Sequence, residues 1–220
     1  MDDAVIQLLV LAAIALFLIV RLKNVLGTRT GFEKPRVADQ REGSSPVRRE
    51  FEVIDGGPDR DITDHVDDGT EAAKSLAAMK LAEPGFSVSE FVGGARQAYE
   101  MILMAFENGD LVPVQPFLAE DVYEAFLAAI SDREDRGLRV EASFIGVRET
   151  TLVNAEFDRD TDTGEITLRF VGEMTSVVKD SDGEVVEGNP NEIKKSRDTW
   201  TFARRMGVDD PNWKLVATDA

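Results

Sequence analysis

The chain has 220 residues and a formal net charge of −17, from 42 acidic against 25 basic residues, with a single histidine and no cysteine. So acidic a balance supplies no phosphate-neutralising surface, which argues against nucleic-acid binding. The missing thiol excludes disulfides, thiolate zinc sites and cysteine nucleophiles, and the single histidine, His65, falls in the stretch read below as a linker, which leaves no imidazole for a triad, a zinc site or acid/base chemistry inside the domain.

Residues 4–20 carry no charge, and Arg21 and Lys23 follow at once. At about 1.5 Å per helical residue the run reaches roughly 26 Å. Leu22 and snorkelling basic side chains extend it toward the roughly 30 Å hydrocarbon core. Residues 4–22 are therefore predicted to form a transmembrane helix. A cleaved signal peptide would put positive charge before the run and small residues after it, whereas this chain has Asp2 and Asp3 before and Arg-Leu-Lys-Asn after. A buried core helix is the other reading for a run of this length.

Arg21, Lys23, Arg29, Lys34 and Arg36 all lie on the C-terminal side of the run. The positive-inside rule then places the N-terminus outside and the remainder in the cytoplasm, which in a bacterial cell means a single-pass inner-membrane protein. These five cations are the candidate contacts to anionic head groups. Residues 21–50 hold eight Lys/Arg against four Asp/Glu, and with −2 ahead of them the total leaves −19 for residues 51–220. The basic stretch is drawn to the membrane surface and the acidic remainder is repelled from it.

Residues 27–68 mix Gly, Pro and charge, as in Arg41-Glu-Gly-Ser-Ser-Pro and Asp55-Gly-Gly-Pro-Asp-Arg, and read as a flexible charged linker. About forty such residues reach roughly 35 Å. Residues 70–84 read as a connecting helix, Ala-rich and weakly amphipathic, stopped by Pro84-Gly85.

A domain is expected over residues 86–218. Ser87-Val-Ser-Glu90 has capping-box spacing. Beyond it Phe91, Ala95, Ala98, Tyr99, Ile102 and Phe106 recur with a helical period, up to Gly109. Val112-Pro-Val-Gln-Pro suggests a single turn. A second helix runs from Glu120 to Arg136 with Val122, Tyr123, Phe126, Leu127 and Ile130 as its apolar stripe and Gly137 at its end. The period then changes to two over 138–157, 165–178, 193–206 and 213–218, with turns at Asp160–Gly164 and Asp180–Gly183. Helices followed by consecutive strands imply α+β, with helices packed on one face of an antiparallel sheet.

Phe91-Val-Gly-Gly-Ala-Arg-Gln-Ala-Tyr99, Ala105-Phe-Glu-Asn-Gly-Asp110, Val122-Tyr-Glu-Ala-Phe126, Arg133-Glu-Asp-Arg-Gly137, and Asp198-Thr-Trp-Thr-Phe-Ala-Arg204 with Asp210-Pro-Asn-Trp213 together resemble the Tim44-like domain. In layout the chain is similar to bacterial membrane-anchored proteins of the Tim44/TimA type. The resemblance implies an NTF2-like cone in which a curved sheet and helices enclose an apolar pocket. It also implies the role of adaptor or scaffold linked to protein translocation, with membrane lipid and a protein partner (chaperone, translocase or another membrane protein), no cofactor and no catalysis. A transmembrane run stands here in place of the long N-terminal Hsp70-recruiting region of the mitochondrial namesake, so the resemblance leaves open whether chaperone tethering applies, while membrane-proximal scaffolding is what it implies. The sequence is silent on oligomeric state.

Tyr99, Ile102, Phe106, Tyr123, Phe126, Phe170, Trp200 and Phe202 are the candidate pocket lining, although aromatic residues at these spacings are also what a plain core requires. Arg96 and Arg133 read as internal ion pairs or as partners for a phosphate or carboxylate. Arg204-Arg205, an adjacent basic pair in the acidic domain, is a second candidate for head-group contact. Asp158-Arg-Asp-Thr-Asp162 fails as a calcium loop, since Thr163 and Arg169 stand where Gly and the bidentate Glu belong. Gly93-Gly94 lies in a helix without a Lys-Ser/Thr continuation, so it is not a phosphate loop and is expected to permit close packing. The alternative to an adaptor is an NTF2-like pocket enzyme or binder acting on a hydrophobic small molecule, with Asp198 as the carboxylate to inspect.

Overall fold

A computed structural model describes residues 58–219. The transmembrane reading of 4–22, the cations Arg21, Lys23, Arg29, Lys34 and Arg36, and the linker as far as residue 57 lie outside the described residues. Among those described, no helix is long and apolar enough to cross a membrane.

Four α-helices precede five strands: α1 (Arg60–Thr63), α2 (Glu71–Ala82), α3 (Val88–Asn108), a 3-10 turn (Val112–Phe117), α4 (Glu120–Asp135), then β1 (Arg139–Asp158), β2 (Thr163–Lys179), β3 (Val185–Gly188), β4 (Lys194–Arg205) and β5 (Lys214–Asp219). The strands pair antiparallel in the order β1-β2-β4-β5. β3 pairs with the far end of β2. The α+β class with an antiparallel sheet is the expected one.

β2 is the spine. Ile166, Leu168 and Phe170 are fully buried, and of the alternate positions Glu165 and Arg169 are exposed and Thr167 is half-buried. This is the alternation a sheet with one covered face demands. Three irregularities of register along β1, at Phe144/Gly146, Val147/Glu149 and Leu152/Asn154, are bulges of the kind that bend a strand. α3 lies against the buried face through Tyr99 and Ile102, both fully buried. The Tyr99 ring stacks on Phe170 at 4.5 Å and 16°. This contact requires glycine on the neighbouring strand position, since a Cβ at Gly172 would stand 2.6 Å from the Tyr99 hydroxyl. Gly109 ends α3 in the left-handed conformation, φ 74°, and its N–H returns to Phe106 O.

Residues 58–68, expected in the linker, pack on the domain. Ile62 is 6 % exposed within the core cluster. Asp61 accepts from the backbone N–H groups of Val88 (2.8 Å) and Ser89 (2.9 Å) and from the Ser87 hydroxyl (3.1 Å). It thereby satisfies donors that the first turn of α3 leaves free. Lys80 bridges Asp61 and Asp59 at 2.8 and 2.7 Å. Burial alone would raise the Asp61 carboxyl, but the Lys80 ammonium and these N–H groups hold it well below the ordinary aspartate value. His65 joins the same end of α3, with Nε2 3.1 Å from Ser89 Oγ.

α2 is core rather than connector. Leu76 and Met79 are fully buried, and Met79 fills the space above Gly164. In α4, Val122 and Ile130 are buried, but Leu127 is 43 % exposed, so the expected stripe is narrower than its sequence suggests. α4 starts without a side-chain cap. Ala119 N–H bonds instead to Leu215 O on β5 at 2.9 Å, which ties the helix to the sheet edge.

Candidate functional site

The eight residues expected to line a pocket are placed chiefly as filling. Tyr99, Ile102, Phe170, Trp200 and Phe202 are buried, and Phe106, Tyr123 and Phe126 are partly buried against them. Rings occupy the interior: Tyr99 lies 4.8 Å from Trp200, and Phe106 lies 4.9 Å from Phe126. The reading of this set as a pocket lining is therefore corrected to a core, with Phe202 alone also reaching an open surface. Side chains stacked at contact distance leave no room for a ligand among them.

The open apolar surface lies one to two turns toward the start of α3. A groove of about 340 Å³ runs between Phe91, Gly94, Ala95 and Ala98 of α3 and the Phe202 and Trp213 rings, with Phe86 and Phe117 also in its lining. Its wall is an aromatic cluster. Phe91 and Trp213 stand 4.5 Å apart, Phe86 and Trp213 5.8 Å, and Phe91 meets Phe202 edge-on at 6.0 Å. Opposite these rings the helix presents small residues. A Cβ at Gly93 or Gly94 would meet nothing within 4 Å, so the pair does not serve close packing against another described element, as had been expected; Gly94 keeps the groove open.

Arg204, expected near a membrane surface, is 8 % exposed and builds the groove's polar end. Its guanidinium lies over Trp213 at 5.3 Å, donates to Glu83 at 2.7 Å and reaches Asp210 O at 3.4 Å. The second Glu83 oxygen accepts the Gly207 N–H at 2.9 Å. Burial works to raise the Glu83 carboxyl, but Arg204 and Gly207 outweigh it and hold the group below its usual range. Arg205 remains exposed.

The other arginines singled out act on backbone. Arg96 donates to Val147 O at 3.0 Å and pins α3 to β1. Arg133 donates to Phe106 O and Glu107 O, both at 3.1 Å, capping the C-terminal carbonyls of α3, with the Glu107 carboxylate 3.9 Å away. Burial lifts Glu107 above the ordinary glutamate value, partly offset by Arg133 and Lys194.

A larger cleft, about 830 Å³, opens beyond the ends of α3 and α4, where Arg133, Glu134, Arg139, Lys179 and Asp180 line it. Charged groups on its walls already engage one another, as Lys179 does Glu141 at 2.6 Å. Such a surface is solvated rather than shaped for an apolar guest, and the aromatic groove is the better candidate site.

Asp198 does meet a tyrosine. The Tyr99 hydroxyl donates to Asp198 and stands 3.0 Å from Ser196 Oγ. Burial and the adjacent carboxylate push the phenol above its usual value. The tyrosine is fully buried beneath Phe170 and Trp200, and neither it nor Asp198 lines the groove. Among the described residues no group of His, Asp and Glu is arranged to hold a metal ion. The Asp158–Asp162 segment forms a turn in which the Asp158 carboxylate accepts from Asp160 N–H and the Thr161 hydroxyl.

Composition hid the groove. Phe91, Gly94, Ala95 and Ala98 belong to the apolar stripe of α3, but only the fold brings Trp213 and Phe202 opposite them. The available signal was Gly-Gly-Ala following Phe91.

Residues 72–220 match the family model described as the Tim44-like domain. Among curated proteins, the mitochondrial import inner membrane translocase subunit TIM44-1 of Arabidopsis thaliana is 20 % identical over 195 residues, covering 84 % of this chain and 41 % of that protein. The corresponding subunit TIM44 of Homo sapiens is 22 % identical over 171 residues, covering 73 % of this chain and 37 % of that protein. The chain thus matches about two-fifths of the length of these relatives. A solved structure, the intermembrane space region of the chloroplast protein ARC6, overlaps 60 % of this chain and 92 % of that one at 10 % identity and a TM-score of 0.38, too loose a likeness to bear on function.

Proposed function

We propose that this chain, which belongs to the Tim44-like domain family, is a membrane-anchored adaptor whose domain holds an apolar segment of a protein partner, or a lipid chain, at the cytoplasmic face of a bacterial inner membrane, in the service of protein translocation. The reading treats the chain as a binder and not an enzyme. The observation that carries it is the groove of Phe86, Phe91, Phe202 and Trp213, an open aromatic surface with a small-residue helix face opposite and the part-buried Arg204–Glu83 ion pair beside it. Its groups offer contact area and orientation for an apolar guest.

The relatives named as import translocase subunits of the mitochondrial inner membrane support the link to translocation and to a membrane. The uncharged run of residues 4–20 and the cations after it support a single-pass anchor with the domain inside. The alternative pocket enzyme draws only on Tyr99 with Asp198, and their seclusion under Phe170 and Trp200 favours a structural hydrogen bond.

The test is a photo-crosslinking amino acid at position 94 in the full-length chain, activated in native membranes. The expected result is a discrete crosslinked protein or lipid that is absent when the same group stands at Gln97, on the exposed side of α3. Identical products from the two positions would overturn the assignment of the groove.

A further inference from the structure

The sheet has a second face, and its charges are sorted. The register pairs define rows across the strands: Glu149–Val171–Arg197, Thr151–Arg169–Thr199–Asp219, Asn154–Thr167–Thr201–Ala217 and Glu156–Glu165–Ala203–Lys214. These residues alternate with the buried set, and Thr167, Val171, Thr199, Thr201 and Ala203 at the middle are half-buried without a helix over them. Along the β1–β2 half, Glu149, Glu156, Asp158 and Glu165 point this way. Along the β4–β5 half, Lys195, Arg197, Arg205 and Lys214 do so. Arg169 on β2 and Asp219 on β5 run against this trend, but in a domain this acidic the bias of basic residues toward one half of one face is a specific feature.

We propose that this face binds a second copy of the chain, as an isologous dimer whose two-fold axis runs parallel to the strands between β2 and β4. Such an axis lays the acidic half of each copy over the basic half of the other. Glu156 comes opposite Lys214, Glu173 opposite Lys195, Thr167 opposite Thr201, Arg169 opposite Thr199 and Asp219 opposite Thr151, so no two like charges stand directly opposite one another. The other in-plane axis, perpendicular to the strands, sets Glu149 against Asp158 and Lys195 against Arg205. Directly opposed like charges are destabilising, so the charge pattern selects the first arrangement.

The area suffices. Three strands at about 4.8 Å spacing and eleven residues at about 3.3 Å give about 520 Å², and the six residues of β5 add about 95 Å². That is about 620 Å² per copy and about 1,230 Å² in all, at the lower end of the range of stable interfaces. At its edge Glu173 is 4 % exposed, held by Arg148 at 2.6 Å and Lys195 at 3.6 Å, so part of the charge at this surface is already removed from water before any partner arrives.

The chain has no cysteine, so one introduced thiol is unique. Full-length protein carrying Thr201→Cys, reconstituted in nanodiscs, should form a covalent dimer with a short bis-maleimide, and Gln97→Cys on α3 should not. Adding Lys195→Glu and Arg197→Glu should cut the crosslinked fraction at least about tenfold. Ala203→Cys, on the same strand face, serves as a second reporter should Thr201→Cys misfold. The proposal is overturned if the sheet-face thiols crosslink no better than Gln97→Cys, or if the charge reversal leaves their crosslinking unchanged while the far-ultraviolet spectrum shows an intact fold.

Discussion

Gly94 separates binding from stability. It lies inside α3, where glycine costs about 0.8–1.0 kcal/mol relative to alanine, and a Cβ there would meet nothing within 4 Å. Gly94→Ala should therefore stabilise the domain by about 1 kcal/mol, which for a unit of this size raises Tm by about 2–4 °C. Gly94→Trp tests the groove itself. The indole has a better helix propensity than glycine and can lie on Phe91 and Trp213, so Tm should not fall. An occupant, however, loses the surface the indole now covers. Burying one large apolar side chain is worth about 1.5–3 kcal/mol, so the affinity of whatever the groove captures should drop by about 10- to 100-fold. Circular dichroism melts and crosslinking yield from a neighbouring position measure the two effects. Loss of stability in Gly94→Ala would refute the claim that the position is open. Unchanged capture by Gly94→Trp would refute the groove as the binding surface.

Gly172→Ala should cost about 1–3 kcal/mol, because the new methyl meets the Tyr99 hydroxyl at 2.6 Å and must displace it from Asp198; chemical denaturation checks this, and a neutral result would show that α3 can shift freely. Glu83 is held below its usual range, so it adds stability above the ordinary glutamate pKa of about 4.3, and this is lost as pH falls through the lower folded value. Glu83→Gln should therefore be less stable than the parent at neutral pH and converge with it in acid, with the difference kept small by partial exposure of the pair. Glu107 carries the opposite sign. Its raised carboxyl resists ionisation in the fold, so Glu107→Gln should gain stability at neutral pH and lose that gain as pH falls below the unfolded value, read from melts across pH.

The helices and long strands were legible because each carries its period in a few residues. Ser87 to Gly109 declares its cap, its stripe and its stop, and Ile166, Leu168 and Phe170 alternate cleanly against Glu165 and Arg169. What escaped were short pieces whose signal is tertiary. Val185–Gly188 has exposed residues on both sides and becomes a strand only by pairing with Val177 and Val178. Arg60–Thr63 has the composition of linker, and a single buried Ile62 with two placed aspartates fixes it. The groove failed for the same reason. Tyr99, Phe170 and Trp200 advertise themselves as pocket aromatics but stack on each other, whereas Arg204 and Trp213 read as the ends of two strands until the fold sets them beside Phe91.

The chain enters the described domain at residue 58, and within four residues it is fastened to Lys80 and to the first turn of α3. Asp61 joins two elements at that point, α2 through Lys80 and the first turn of α3 through Val88 and Ser89. One carboxylate therefore sets both where the chain enters the domain and how the helix beside Phe86 and Phe91 begins, so its loss would reach the wall of the aromatic groove without touching the strand pairing.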